Sequence, residues 1–135
     1  MLYVLALTIP ANTAEATPYE EDLKLTDGVI THVEVEFPAG CQGLAHSYAR
    51  QAIHQVFPTN PDGDLCSDNY VIAWNDYQDL DADPRVLTIG GWNTDDTYDH
   101  TITWRIELSD RVIAERGKTS QSMFNKIGAL LGLGG

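Results

Sequence analysis

The sequence predicts a mainly β protein, an antiparallel β-sandwich of jelly-roll-like type followed by a short C-terminal amphipathic helix or tail. Three observations predict it. Short runs that alternate apolar and polar residues recur about every dozen positions, clusters of Gly, Pro, Asn and Asp separate them, and no strand–helix alternation is present to build a parallel sheet. The 135 residues, 43% hydrophobic and 21% charged, suit one domain with a usable core.

At the start, Tyr3, Leu5, Leu7 and Ile9 alternate with Leu2, Val4, Ala6 and Thr8 before Pro10 ends the run, which reads as a buried first strand. The Ala14–Ala16 spacing resembles a signal-peptide cleavage site. No Lys or Arg precedes Lys24, however, and Pro10 interrupts the apolar run, so the strand reading is preferred. No N-x-Ser/Thr sequon occurs.

In LKLTDGVITHVEVEF, residues 23–37, Asp27-Gly28 marks a hairpin or a bend between two strand-like pieces. Val29, Val33, Val35 and Phe37 share one face. Ile30, His32, Glu34 and Glu36 share the other, the pattern of a half-buried strand, and Pro38-Ala39-Gly40 ends it. Residues 44–57 carry two readings. Leu44, Ala45, Tyr48, Ala49, Ala52, Ile53, Val56 and Phe57 fall at helical spacing, while a cut at Arg50-Gln51 gives a hairpin with strands 43–49 and 52–57 that suits the β-rich surroundings.

Residues 58–69 form a Pro/Asn/Asp/Gly loop. Tyr70, Ile72 and Trp74 then alternate with Val71, Ala73 and Asn75 as a strand, followed by an acidic loop NDYQDLDADP. RVLTIGGW is the next strand, whose Gly90-Gly91 predicts a bulge or a close backbone approach. After the turn NTDDTYD, the last strand TITWRIEL directs Ile102, Trp104, Ile106 and Leu108 inward and Thr101, Thr103, Arg105 and Glu107 outward.

Charge divides the chain into a β-sandwich domain, 1–109, and a linker with a tail, 110–135. The first has four basic and eighteen acidic residues, net −14; the second has four basic and two acidic residues, net +2. A formal charge of −12 overall opposes phosphate backbones, so nucleic acid is not an expected partner. No run approaches the roughly 20 apolar residues of a membrane span. In the tail, Met123, Phe124, Ile127, Leu130 and Leu131 lie on one helical face, with Ser120 or Ser122 as a cap, after the polar linker ERGKTSQS. Such a segment is read as an assembly peptide for a neighbouring subunit or as a helix packed on its own domain, with at most weak lipid contact.

Chemistry-bearing motifs are sparse. Cys41 and Cys66 are read as two buried thiols, with a 41–66 bridge as the other reading. Asp79, Asp81 and Asp83 have the 1-3-5 spacing of a calcium loop, although Pro84 and Gly90 stand where an EF-hand has Gly and Glu. A calcium ion is the cation such a loop would hold; a solvated acidic rim is the preferred reading. His32, His46, His54 and His100 lack zinc-site spacing, and Asp99-His100 has no nucleophile motif beside it. Glu34 and Glu36 read as the wet face of a strand. With no complete catalytic constellation, the chain is not expected to be an enzyme. Trp104 belongs to the core, and Trp92 is the candidate exposed ring facing a ligand.

The segments GVITHVEVEFPAGCQGLAH, VFPTNPDGD and GGWNTDDTYDHTITWRIEL resemble a group of small β-rich proteins of phage genomes associated with virion structure, over most of residues 7–109. The resemblance implies a non-enzymatic structural protein of the virion, a homo-oligomer that forms or decorates a capsid, vertex or spike beside other virion proteins. The alternative is a carbohydrate-binding β-sandwich, calcium-stabilised, built around Trp92.

Overall fold

A computed structural model describes residues 1–116; the tail residues Met123, Phe124, Ile127, Leu130 and Leu131 lie outside the described residues. Nine strands form two antiparallel sheets: β1 (Leu2–Ile9), β2 (Tyr19–Lys24), β3 (Gly28–Phe37), β4 (Ala45–Gln51), β5 (His54–Phe57), β6 (Leu65–Cys66), β7 (Tyr70–Leu80), β8 (Val86–Asn93) and β9 (His100–Ser109). The four-stranded sheet runs β1-β9-β3-β7. The five-stranded sheet runs β2-β8-β4-β5, with β6 also on β4. Sheet membership therefore alternates from β1 to β3 and again from β7 to β9, the jelly-roll-like interleaving that the turn spacing predicts.

The inward faces supply one core. Leu7, Ile9, Val33, Val35, Phe37, Ile102, Trp104, Ile106 and Leu108 from the first sheet meet Ala45, Ala49, Phe57, Leu87 and Ile89 from the second. β9 obeys its predicted alternation at every inward position. One polar chain crosses this interior: Trp104 donates its indole N–H to Ser47 Oγ at 2.9 Å, and Ser47 donates to the Gly90 carbonyl at 2.7 Å. Both side chains are fully buried, and each polar atom is satisfied.

Several expectations need correction. Ile30 is buried in the core instead of facing out, because a register shift lies between Ile30 and His32 on both of β3's partners. Against β9 the extra residue is Thr31, whereas against β7 it lies in β7, between Asn75 and Gln78; one inserted residue exchanges the faces on its two sides. The predicted acidic loop is strand as far as Leu80, since 28–30 of β3 offer pairing partners and β7 is a sheet edge, where charge is tolerated. β1 is likewise an edge strand: only Leu7 and Ile9 are buried, and Leu2 and Val4 are exposed.

The Asp27-Gly28 signal is a bend that carries the chain from one sheet to the other. Residues 44–57 adopt the hairpin, with its turn at Ala52-Ile53, two residues later than the sequence suggested. Gly90-Gly91 is a close approach, with no register shift in either β8 ladder. A Cβ on Gly90 would lie 2.6 Å from the Tyr48 ring, and one on Gly91 would strike the His46 carbonyl oxygen.

A helical turn, α1 (111–116), follows β9. Asp110 caps it, accepting from the Val112 N–H at 2.9 Å. No helix of the described residues is long and apolar enough to cross a membrane.

Candidate functional site

Alternation places His46, Tyr48 and Arg50 of β4 on the outer face of the five-stranded sheet, beside Trp92 of β8 and Glu20 of β2. Gly90, which lacks a side chain, leaves the space into which Tyr48 leans. Tyr48 and Arg50 then converge on one carboxylate: the tyrosine hydroxyl donates to Glu20 Oε2 at 2.8 Å, and the guanidinium makes two 3.0 Å bonds to its two oxygens. Arg50 holds the Glu20 carboxyl below the usual range, against the opposing effect of burial. Burial, reinforced by the Glu20 charge, pushes the Tyr48 hydroxyl far up, so it is a hydrogen-bond donor at neutral pH.

Trp92 is half-buried. Its ring stacks on His46 with centroids 4.8 Å apart and planes 4° from parallel, and Tyr48 lies tilted at 6.3 Å. The Trp92 and Tyr48 rings form one wall of a cleft of about 360 Å³, whose other sides include Glu15, Gln55 and Asp62. The Gln55 side chain donates to the carbonyls of Pro58, Asn60 and Gly63, which fixes the loop that forms the rim. Sequence reasoning singled out Trp92 and missed His46, Tyr48, Arg50 and Glu20, which become neighbours only through the β4–β8–β2 register.

On the far side of His46 stand Asp64 and Cys66. The β4–β6 ladder pairs His46 with Cys66, and His46 Nδ1 lies 2.6 Å from Asp64 Oδ1. Cys66 is exposed and Cys41 buried, and both are free thiols, so Cys66 departs from the expectation of a buried residue and no 41–66 bridge is formed. Burial, aided by the Asp64 charge, raises the Cys66 thiol above its ordinary value.

The other singled-out residues are engaged elsewhere. Asp79 accepts from Arg111 at 2.7 and 2.9 Å, and the same guanidinium reaches Asp27 at 2.6 Å. Asp83 pairs with Arg85, which also donates to the Asp81 carbonyl oxygen. A cation at Asp79, Asp81 and Asp83 would have to compete with two guanidinium groups. His100 pairs with Asp95 at 2.9 Å, while Asp99 accepts from the Ala11 N–H. Glu36 faces Arg105 and Glu34 faces His32.

Comparison with family models, curated proteins and solved structures gives no match for this chain.

Proposed function

We propose that this chain is a non-enzymatic structural protein of a virus particle, which forms or decorates a capsid, vertex or spike by assembling with copies of itself. The observation that carries the reading is an apolar margin at one end of the four-stranded sheet. Leu2 and Val4 on the edge strand β1 are 64% and 55% exposed, and Val112 and Ile113 of α1 are 56% and 64% exposed. The Met1 and Leu108 backbones bond each other at 2.6 and 2.7 Å, which brings the start of β1 to the root of α1.

An unpaired strand edge flanked by exposed aliphatic side chains is a surface that another chain can cover. The interleaved topology supports the same reading, because jelly rolls of this kind recur in capsid domains, and so does the resemblance of residues 7–109 to virion-associated phage proteins. In this proposal Met123, Phe124, Ile127, Leu130 and Leu131 tether one copy to its neighbour. Individually weak tethers become strong when many act together in a symmetric assembly.

The test is the solution mass of the full chain, by light scattering on a sizing column across a concentration series. A mass that is a multiple of the monomer supports the proposal. A monomer at every concentration contradicts it.

The Trp92 cleft favours a second reading, a carbohydrate-binding module in which Trp92 and Tyr48 stack on a sugar ring while Gln55 and Asp62 meet its hydroxyls. A glycan array distinguishes it: binding that disappears in Trp92→Ala supports the module, and an empty array removes it.

A further inference from the structure

We propose that His46, Asp64 and Cys66 form a binding site for a borderline-soft divalent metal ion, of which Zn(II) is the type, on the outer face of the five-stranded sheet. The inference is independent of both functional readings. One ligand atom from each of the three residues lies within 4.8 Å of the others. Tetrahedral bonds of about 2.0–2.3 Å to N, O and S place donor atoms roughly 3.3–3.8 Å apart. An ion therefore needs the His46–Asp64 contact, now 2.6 Å, to open slightly and the sulfur to draw in.

The donor set selects the metal. One imidazole nitrogen, one carboxylate oxygen and one thiolate suit Zn(II), Co(II) or Ni(II), whereas Ca(II) and Mg(II) require oxygen ligands. Three protein ligands leave a fourth position open, the arrangement of a metal that also carries water or an incoming donor.

Two structural features prepare the site. The β4–β6 register sets His46 and Cys66 directly across from each other on one face, so the separation of 20 positions in sequence vanishes in space. The Trp92 ring, parallel to the His46 imidazole, holds that ring edge-on to Asp64. A hydrogen bond alone accounts for the His46–Asp64 contact. It gives no reason for the thiol beside it.

Protons balance simply. The metal takes the place of the hydrogen between His46 Nδ1 and Asp64 Oδ1, the imidazole carries its proton on Nε2, and the Cys66 thiol releases one proton to solvent. Affinity therefore rises with pH.

The experiment is a titration of the reduced, tag-free full chain with Co(II) in the absence of oxygen, following the sulfur-to-cobalt charge-transfer band, with Zn(II) added as competitor. One equivalent should bind, the band should appear, and Zn(II) should abolish it and raise the melting temperature of the wild type. Cys66→Ser should remove the band while Cys41→Ser keeps it. His46→Ala and Asp64→Asn should weaken binding by at least the roughly 10- to 100-fold typical of losing even an outer-shell partner. Near-ultraviolet circular dichroism of each variant establishes that it is folded. Absence of the band in the wild type, or a band of equal affinity in folded His46→Ala and Asp64→Asn, overturns the site.

Discussion

The four-stranded sheet turns outward Thr8, Thr101, Arg105, Glu36 and, at its β1 edge, Leu2 and Val4, whereas the five-stranded sheet turns outward His46, Tyr48, Arg50, Trp92 and Glu20. On the first face polar groups are paired across neighbouring strands, as Thr8 with Thr101 and Arg105 with Glu36, and the exposed aliphatic residues are left at the margin. On the second, Gly90 lets aromatic and charged side chains lean together beside a cleft. The same alternating backbone thus yields an exposed aliphatic margin on one side and a recess walled by aromatic rings on the other. Which it yields depends on whether the side chains between the large residues are small.

The largest effect is expected at Gly91, which faces inward, opposite to Gly90. A Cβ there meets the His46 carbonyl oxygen and Ile9, backbone and core that have little room to yield. Gly91→Ala should cost about 3 kcal/mol or prevent folding, as measured by urea unfolding; a neutral result would show that the sheets are less closely apposed than described. Ser47 joins the two faces from within. Ser47→Ala leaves the buried Trp104 indole N–H without its acceptor and should cost roughly 1–3 kcal/mol, read by the same unfolding curve, with the outer-face rings of Trp92 and His46 unmoved.

The Glu20–Arg50 pair contributes a pH-dependent part. The folded carboxyl is depressed, so its stabilisation is complete above the ordinary carboxylate pKa and is lost as pH falls through the folded value. Asp95, held down by the Thr97 N–H and then by His100, acts in the same direction. Melting temperature should therefore fall below about pH 4, and Arg50→Ala should flatten part of that fall. An acid limb identical in the variant would remove the pair from the account.

The smallest effect is expected at the β4–β5 turn, where Ala52 has φ 54°, a conformation that favours glycine, and Arg50 donates to its carbonyl at 2.6 Å. Ala52→Gly should stabilise the protein by up to about 1 kcal/mol, seen as a small rise in melting temperature; a loss would mean that the left-handed alanine is not strained.

The sandwich was legible where a strand's periodicity is self-contained. In β9, Ile102 to Leu108 needs no partner to reveal its inward face. β3 was legible only beyond Thr31, because the inserted residue shows itself in the partner strands and not in its own composition. β7 was cut short since Asp76 and Asp79 look like loop until the sheet edge that accommodates them is known. The candidate site was least legible. Trp92 stood out by its Gly-Gly approach, but His46, Asp64 and Cys66 come together through β6, a two-residue strand too short to carry a period. The calcium-like spacing at Asp79, Asp81 and Asp83 showed the opposite: spacing alone does not reveal that Arg111, 32 positions along, pairs with Asp79 and that Arg85 pairs with Asp83.

One paired measurement tests the division of labour between the two faces: light-scattering mass and Co(II) binding on the wild type, Val4→Lys and His46→Ala. The account predicts an oligomer that binds the metal, a Val4→Lys protein of lower mass that still binds it, and a His46→Ala protein that keeps its mass and loses the metal. A monomeric wild type, or masses and metal affinities that do not respond to the two substitutions, would contradict it.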